Sequence, residues 1–426
     1  MIRLDTGDAG FEAAFEALLN GARETTARVD GAVAAIIADV RARGDAALCE
    51  LSQRFDGVAL APAGLRVGAE EIEAAAASVP PALLDALRLA HDRIQAFHQA
   101  QMPADLRTTD AAGLTLGLRW TPLASVGLYV PGGKAAYPSS VLMNAVPARV
   151  AGVRRLAMCV PAPGGALNPL VLAAARLAGV DEVYRVGGAQ AVAALAFGTA
   201  RIAPVDVITG PGNAWVAEAK RQVYGRVGID MVAGPSEILV VADGDNEPDW
   251  IAADLLSQAE HDPTSQSILL TDDEGFGRGV VAEVERQLGD LGAAARASWD
   301  AHGAVVVLGS LHEAPALIDR LAPEHLELAV GDPDALFARV RHAGSVFLGR
   351  HTPEALGDYL AGPNHVLPTG RRARFSSGLG VTDFMKRTSF IACPAGAFAE
   401  LGPAAALLAD AEGLPAHARS VRVRLG

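Results

Sequence analysis

The fold is decided by four short apolar runs, VGLYV (126–130), RLAMCV (155–160), EVYRVG (182–187) and VDVITG (205–210). Each run has the length and the apolar character of a buried β-strand. Three of them are followed by candidate helices, LVLAAARLAG, AQAVAALAFG and AWVAEAKRQVYG. Strands that alternate with helices in this way are typical of βαβ units, so the sequence predicts a mostly parallel sheet covered by helices.

A second series of strand-like runs follows Ser236. It consists of EILVVAD, SQSILLT, GAVVVLG, LELAV and GSVFLG, and helical stretches such as PDWIAADLLSQAEH separate them. The first 110 residues, by contrast, read mainly as helix, because apolar residues recur there at intervals of three and four. Since 426 residues exceed what one hydrophobic core usually supports, the predicted fold is α/β with two Rossmann-like lobes and mostly parallel sheets. Small helical segments are expected at both termini.

The predicted division of the chain follows from these patterns. Residues 1–25 form an N-terminal helical segment, and residues 26–129 together with 236–381 form the first α/β lobe. Residues 130–235 form the second lobe. Residues 382–426 form a helical tail that is too short to fold alone.

Charge and targeting signals exclude several classes of function. The formal net charge is −13 and no block of basic residues is present, so neither nucleic acid nor an anionic membrane is an expected partner. The N-terminus lacks the basic and apolar regions of a secretory signal, and no apolar run reaches the roughly 18 residues of a membrane span. Cys49, Cys159 and Cys393 are too scattered for a disulfide framework or a CxxC metal site, so a cytoplasmic location is predicted.

The helix predicted at 248–261 carries two polar residues beside its apolar arc. Gln258 and His261 are three positions apart, about 60° around the helix, so their side chains project in the same direction. A histidine nitrogen and an amide oxygen at this spacing can hold one metal ion. The same residues could instead form only hydrogen bonds at a domain interface, and their spacing alone does not choose between the two interpretations.

An acidic and a basic residue stand side by side in LAPEHLEL, where Pro323 precedes Glu324 and His325. Adjacent side chains on a turn can act on two successive steps, with imidazole taking a hydroxyl proton and a carboxylate activating water. Such a dipeptide is also common on protein surfaces, so the pair is a hypothesis until other residues support it.

Two further segments contain residues that could do chemistry. Asp358 and His365 lie in a stretch rich in Gly, Pro and Asn, where Asp358 could ligate a metal or merely cap a helix. Glu412 and His417 flank a helix break, across which their side chains could converge. A solvated tail would explain the second pair equally well.

Two glycine-rich turns, VGGAQ (186–190) and GPGNAW (210–215), each follow a predicted strand and precede a predicted helix. Backbone amides in such turns can bind phosphate. Neither turn is a GxGxxG fingerprint, and PGGKAAY (131–137) lacks the spacing of a P-loop. The turns therefore allow a dinucleotide site and equally allow a purely structural role.

Together, these segments resemble one family closely, the histidinol dehydrogenases, from about residue 120 onward. The resemblance is carried by GLYVPGGKAAYPSSVLMNAVPA, GGAQAVAALAFGT, ITGPGNAWVAEAK, AGPSEILVVAD, DLLSQAEHDP, APEHLEL, GDYLAGPNHVLPT, SSGLGVTDFMKRTS and EGLPAHARSVRVR. It implies an enzyme that oxidises L-histidinol through enzyme-held histidinaldehyde to L-histidine, the last step of histidine biosynthesis, and that reduces two NAD molecules in turn.

The resemblance also implies a role for each candidate residue. The Zn2+ ligands would be Gln258, His261, Asp358 and His417. The acid–base residues would be Glu324 and His325. The substrate would contact His325 and the zinc ligands, together with Ser236, His365 and Glu412. NAD would contact Tyr129, Gln190 and Asn213.

The resemblance assigns different tasks to the two lobes and to the tail. The first lobe would hold the metal and the substrate, with zinc positioning the substrate rather than activating water, and the second lobe would contact NAD. The family is a homodimer in which each active site borrows C-terminal residues from the neighbouring subunit. That arrangement would explain why a short tail carries both Glu412 and His417.

Three other functions compete with this one. The nearest is a related zinc- and NAD-dependent alcohol dehydrogenase acting on a small sulfonated diol, although the carboxylate of Glu412 would repel a sulfonate. A non-catalytic zinc- or nucleotide-binding regulator would retain metal without producing NADH. A purely structural protein would require all the matching segments to arise from packing alone.

Overall fold

The computed structural model of the chain describes residues 1–21, 29–132 and 136–426. The predicted boundary between residues 25 and 26, and the centre of PGGKAAY, lie outside the described residues. The α-helices are α1 (Phe11–Asn20), α2 (Asp30–Arg43), α3 (Asp45–Asp56), α4 (Ala69–Ser78), α5 (Pro81–Gln99), α6 (Pro138–Ala151), α7 (Pro169–Leu177), α8 (Gly188–Phe197), α9 (Ala214–Val223), α10 (Pro248–Ala259), α11 (Glu274–Gln287), α12 (Ala293–His302), α13 (Ala314–Leu321), α14 (Pro333–Phe337), α15 (Glu354–Tyr359), α16 (Ala395–Ala411) and α17 (Pro415–Arg422). Within the described ranges, none of these helices is both long enough and apolar enough to cross a membrane.

A six-stranded sheet is built entirely from parallel strands. Its order is β1 (Ile2–Asp5), β11 (Ala304–Val307), β10 (Gln266–Thr271), β9 (Glu237–Ala242), β12 (His325–Ala329) and β13 (Ser345–Leu348). Every residue of β9, β10 and β12 is buried, since parallel sheets are covered on both faces, and this explains the largely apolar sequence of these strands. The strands predicted after Ser236 are confirmed.

A five-stranded parallel sheet contains the four runs that decide the fold. Its order is β6 (Glu182–Tyr184), β5 (Arg155–Cys159), β4 (Ser125–Tyr129), β7 (Val207–Thr209) and β8 (Gly228–Ile229). A helix connects each strand to the next, as the βαβ prediction requires, so the α/β fold is confirmed. The chain order reverses between β4 and β7. The carboxyl ends of these two strands therefore form a topological switch point, where sheets of this kind bind ligands.

A third sheet is antiparallel and is not predicted from the sequence. It consists of β14 (Met385–Ala392), β3 (Thr115–Pro122) and β2 (Leu106–Thr109). The prediction of helix from residue 382 is therefore wrong for β14. Most of its side chains are exposed, so it lacks the alternating apolar pattern of a half-buried strand. The predicted helical N-terminus likewise begins with a strand, β1, whose four residues are too few to show a periodicity.

Each parallel sheet recruits elements that are distant in the sequence. Strand β1 and helix α1 belong to the six-stranded sheet, whose core includes Leu4 and Phe15. Helices α2 and α3 pack instead on the five-stranded sheet through Val33 and Leu48. The predicted grouping of residues 26–129 with the other lobe is thus wrong for α2, α3 and β4, because local patterns do not indicate which sheet a helix covers. The exact lobe boundaries remain a prediction.

Candidate active site

Glu324 and His325 lie at the amino end of β12, inside the six-stranded sheet. Ala322 ends α13 with a left-handed backbone (φ 44°), so the chain turns sharply before it enters the strand. The adjacent strand β9 holds both side chains: the Glu237 amide donates to Glu324 Oε2 (2.9 Å), and the Glu237 carbonyl accepts from His325 Nδ1 (3.1 Å). Glu324 is 7% exposed and His325 is 4% exposed. The interpretation of this dipeptide as a surface pair is therefore wrong.

Three carboxylates surround the His325 imidazole. Nδ1 lies 3.5 Å from Glu354 Oε1 and 3.8 Å from Glu324 Oε2, and Nε2 lies 3.6 Å from Asp358 Oδ1. Burial lowers the pKa of His325, but Glu354, Glu324 and Asp358 outweigh burial and raise this pKa well above its ordinary value. Because Nδ1 donates to a carbonyl, Nε2 is the nitrogen that can exchange a proton with a substrate. Nε2 has no hydrogen-bond partner among the described residues.

The Glu324 carboxyl is tuned by its surroundings. Burial raises the pKa of Glu324 to about 7, although the nearby His325 charge opposes that rise. A carboxyl group with this pKa populates both protonation states near neutral pH, as a general base that is later reprotonated requires. Ser236 directly precedes Glu237, whose amide donates to this carboxyl, and the Ser236 carbonyl accepts from the Gln266 amide (3.0 Å).

Gln258 and His261 meet at the C-terminal end of α10. Gln258 Nε2 is 3.5 Å from His261 Nδ1, as their three-residue spacing predicts. His261 Nδ1 also contacts the Ser257 carbonyl (2.9 Å), which leaves Nε2 available as a ligand. Gln258 is only 1% exposed, and its Oε1 has no hydrogen-bond partner within the described part of the chain. The interpretation as interface hydrogen bonding does not account for that oxygen.

Asp358 lies in the last turn of α15 and faces three histidines. Burial raises the pKa of Asp358, but the nearby imidazoles, His325 first and then His365 and His261, outweigh burial and hold this pKa below its usual value. His365 Nδ1 contacts the Asp358 carbonyl (3.0 Å), and its Nε2 lies 3.4 Å from Ser140 Oγ. Burial lowers the pKa of His365. Helix α15 and the loop after it thus bring a carboxyl group and an imidazole, both with lowered pKa values, close to His325.

The unpartnered oxygen of Gln258 tests whether this region fits a metal ion. A buried acceptor without a donor costs about 1–3 kcal/mol, and a cation beside it would remove that cost. Nitrogen from His261 and oxygen from Gln258 and Asp358 form a donor set that zinc accepts. The described residues also bring His325, Glu354 and Asp358 within 4.8 Å of one another, a second group able to hold a cation. Both groups share Asp358.

The predicted site residues of the tail lie elsewhere in this chain. Glu412 and His417 are exposed, near the break between α16 and α17, and these two helices pack against each other. Among the described residues, neither side chain forms a hydrogen bond or ion pair with Gln258, His261 or Asp358. The structure therefore gathers the other candidates around His325 but does not bring these two to them within one chain.

The three predicted NAD contacts follow strands of the five-stranded sheet. Tyr129 ends β4, Gln190 lies in the first turn of α8, and Asn213 caps α9 by accepting from the Trp215 amide (3.1 Å). The Tyr129 hydroxyl accepts from the Gly188 amide (3.1 Å), and burial raises the pKa of Tyr129 to about 12, so the hydroxyl stays neutral. All three residues therefore follow the carboxyl ends of strands, and Tyr129 and Asn213 follow the two strands that form the topological switch point.

Three further carboxyl groups, of which Glu354 and Glu327 are buried and Asp254 is partly buried, are not predicted from the sequence. Burial raises the pKa of Glu354 to about 8, that of Asp254 to about 6, and that of Glu327 well above its usual value. The Glu354 amide donates to Glu327 Oε1 (2.6 Å). An acidic residue inside the otherwise apolar strand HLELA is a signal that could have identified Glu327. Glu354 carries no such local signal, since its contact with His325 depends on how α15 packs.

Comparison with known sequences gives consistent matches over the whole chain. The family model described as histidinol dehydrogenase matches residues 19–425. The histidinol dehydrogenase of Zymomonas mobilis subsp. mobilis is 62% identical over 427 residues, covering 100% of this chain and 99% of that protein. That of Cereibacter sphaeroides is 64% identical over 424 residues, covering 99% of this chain and 98% of that protein.

A solved structure agrees with these sequence matches. The crystal structure of histidinol dehydrogenase from Elizabethkingia anophelis superposes with a TM-score of 0.95 at 36% identity. The match covers 100% of this chain and 98% of that one. Both the lobes and their connections are therefore shared along the full length.

Proposed function

Because the chain belongs to the histidinol dehydrogenase family, we propose that its Glu324–His325 pair oxidises L-histidinol to L-histidine in two successive NAD-dependent steps. The chain is an oxidoreductase of histidine biosynthesis that acts on histidinol. The observation that carries the residue assignment is the buried acid–base pair, in which His325 Nε2 has no partner among the described residues. The alternative substrate, a small sulfonated diol, gains no support from the relatives.

In the first oxidation, His325 removes the hydroxyl proton of histidinol while hydride leaves the same carbon for the nicotinamide ring. The contact of Nδ1 with the Glu237 carbonyl orients the imidazole and leaves Nε2 for the substrate. The base must be neutral, whereas the surrounding carboxylates raise the pKa of His325. Positive charge brought into the site by the substrate lowers this pKa, so binding itself favours release of the proton.

In the second oxidation, the aldehyde must add water before it can lose another hydride. Glu324, with its pKa raised to about 7, removes a proton from that water as the oxygen attacks the carbonyl carbon. The Glu237 amide occupies Oε2, so Oε1 is the oxygen that acts on water. Protonated His325 returns its proton to the carbonyl oxygen as water adds, which completes the hydrate and makes His325 neutral again. The hydrate then gives a hydroxyl proton to His325 and its hydride to a second NAD, which yields the carboxylic acid of histidine, and this acid loses its remaining proton to solvent.

Gln258, His261 and Asp358 are the residues of this chain that would hold zinc. When bound, zinc supplies a Lewis-acid centre that positions the imidazole and amino nitrogens of the substrate. This set is preferred to the group of His325, Glu354 and Asp358, because it uses the unpartnered oxygen of Gln258 and leaves His325 free to move protons.

The fourth ligand, His417, would come from the tail of a second copy in a homodimer. Support comes from the exposure of His417, which among the described residues forms no hydrogen bond or ion pair with the other ligands of its own chain, and from the apolar surface of the tail, where Leu407, Leu408 and Val423 are exposed. Exchange of the tail would also bring Glu412 close to the ammonium group of histidinol. A homodimer with shared active sites therefore accounts for both residues.

The NAD molecule would bind at the carboxyl edge of the five-stranded sheet, against Tyr129, Gln190 and Asn213. The switch point between β4 and β7, together with the helix N-termini at Gly188 and Ala214, suits a pyrophosphate. A cytoplasmic location is proposed as well, because Cys49, Cys159 and Cys393 are all free.

The test is an assay of NADH formation by the purified protein with L-histidinol and, separately, with dihydroxypropanesulfonate. We expect turnover of histidinol only, and a fall of roughly 10²- to 10⁴-fold in kcat for His325→Asn, because that variant lacks the base. His342→Asn is the matched control, since His342 lies outside the site, and it should keep wild-type activity. Turnover of the sulfonate alone, or an active His325→Asn variant, would overturn the proposal.

A further inference from the structure

An ion pair lies inside the five-stranded lobe, away from the acid–base site. Lys220, on the second turn of α9, contacts Asp230, which directly follows β8. Their side chains are 2% and 1% exposed. Replacing a buried ion pair by apolar side chains of similar volume is often neutral or stabilising, so folding stability alone does not explain these charges.

The hydrogen bonds of the pair converge on one residue, Gly210, and hold the peptide units on both sides of it. Lys220 Nζ donates to the Gly210 carbonyl (2.9 Å), and Asp230 Oδ2 accepts from the Gly210 amide (2.8 Å). Asp230 Oδ1 also accepts from the Met231 amide (2.6 Å). Strand β7 ends one residue earlier, at Thr209, so the polar groups of Gly210 lie beyond the last ladder residue. The ion pair takes the place of the missing strand neighbours.

Gly210 lies in close contact with Tyr129, a residue of the proposed NAD site. Its backbone has φ +115°, and a Cβ atom there would lie 2.0 Å from the Tyr129 carbonyl oxygen. The Tyr129 hydroxyl in turn accepts from the Gly188 amide at the start of α8. Asn213, which caps α9, follows Gly210 by three residues. A shift of Gly210 would therefore displace Asn213 and Tyr129 together.

We propose that the buried Lys220–Asp230 ion pair is a positioning element for NAD: it fixes the Gly210 peptide and so holds the Gly210–Asn213 turn in the shape that binds the dinucleotide. This inference rests on the proposed NAD contacts of Tyr129 and Asn213. Neither charge touches the reacting atoms. Loss of the pair weakens dinucleotide binding and leaves both the chemistry and the zinc site intact.

The experiment compares wild type with Lys220→Met/Asp230→Leu, which replaces the charges by apolar side chains and removes both side-chain hydrogen bonds to Gly210. We expect the KM for NAD and the dissociation constant for NADH, read from tryptophan fluorescence, to rise roughly 10- to 100-fold. At saturating NAD, kcat stays within about threefold of wild type, and the KM for histidinol and the zinc content are unchanged. Asp230→Asn, which keeps the shape of the side chain, provides a second test if the double variant does not fold.

The matched control is Arg155→Met, because Arg155 forms an ion pair with Glu182 (2.9 Å) at the opposite, amino edge of the same sheet. It should lower stability without changing the KM for NAD. Unchanged NAD and NADH binding in the Lys220 and Asp230 variants would overturn the inference. An equal rise in the KM for NAD and the NADH dissociation constant of Arg155→Met would overturn it as well. Absence of NADH formation by wild type with histidinol would instead overturn the proposed function, and the NADH dissociation constants would still decide the role of the pair.

Discussion

Replacing Glu324 by glutamine is expected to stabilise the protein above neutral pH while it blocks the second oxidation. In the folded chain, burial raises the pKa of Glu324 from 4.5 to about 7. One pKa unit corresponds to about 1.4 kcal/mol, so this shift corresponds to about 3 kcal/mol of folding free energy. Glu324 is almost completely buried, so solvent screening does not reduce the figure much.

The sign of the pH dependence of the unfolding free energy follows from which state, folded or unfolded, binds the Glu324 proton more tightly. Between pH 4.5 and 7 the folded protein keeps the Glu324 proton and the unfolded chain releases it, so the free energy of unfolding falls as pH rises through this window. Above pH 7 this decrease in the free energy of unfolding is complete. Glutamine is a neutral isostere with no titration, so Glu324→Gln avoids the loss and should be about 3 kcal/mol more stable relative to wild type at pH 8.5 than at pH 4.5.

The measurement is urea unfolding of zinc-free wild type and Glu324→Gln at several pH values between 4.5 and 8.5. The other buried carboxyl groups are common to both proteins, so the difference between the two curves reports the titration of Glu324 together with the effect of its charge on the pKa of His325. Glu70→Gln is the control, because Glu70 lies on the surface at the start of α4 and should give a curve parallel to wild type. Parallel curves for Glu324→Gln as well would refute the argument that burial sets the pKa of this carboxyl.

Three other changes test the remaining parts of the site. Gln258→Leu removes the unpartnered oxygen, so the free energy of unfolding of the zinc-free protein, measured in urea, should rise by about 1–3 kcal/mol. Metal analysis should show loss of zinc from this variant, and a lower free energy of unfolding without zinc would contradict the argument. Glu354→Gln removes a charge that raises the pKa of His325, so the acid limb of the kcat/KM profile should move to lower pH, and an unmoved limb would exclude that electrostatic role. Mixing His325→Asn with His417→Ala subunits should restore activity in the mixed dimer, because tail exchange leaves one of its two sites intact, whereas no recovery on mixing would count against tail exchange.

The sequence could predict those parts of the site that depend on local spacing. Gln258 and His261 meet because three residues on a helix place their side chains on one side. Glu324 and His325 are neighbours in the chain, and they lie on the turn that leads into β12, which begins at His325. The turns at Gly188 and Gly210 lie between strand and helix, as the βαβ pattern requires.

The sequence alone does not predict features that depend on packing between distant segments. The depth of burial that raises the pKa of Glu324 arises from pairing between β9 and β12, which local patterns do not reveal. Glu354 reaches His325 through the placement of α15, and Lys220 reaches Gly210 through the placement of α9. Strand β14 is identified by pairing with β3 rather than by its own exposed side chains.

The most direct test of the central claim is the number of NADH molecules formed per histidinol consumed. Wild type should give two, since Glu324 supplies the water that permits the second hydride transfer. Glu324→Gln, assayed with semicarbazide to trap the aldehyde, should give one, because His325 still carries out the first oxidation. A yield of one in wild type, or of two in both proteins, would contradict the assignment of the two steps to this pair.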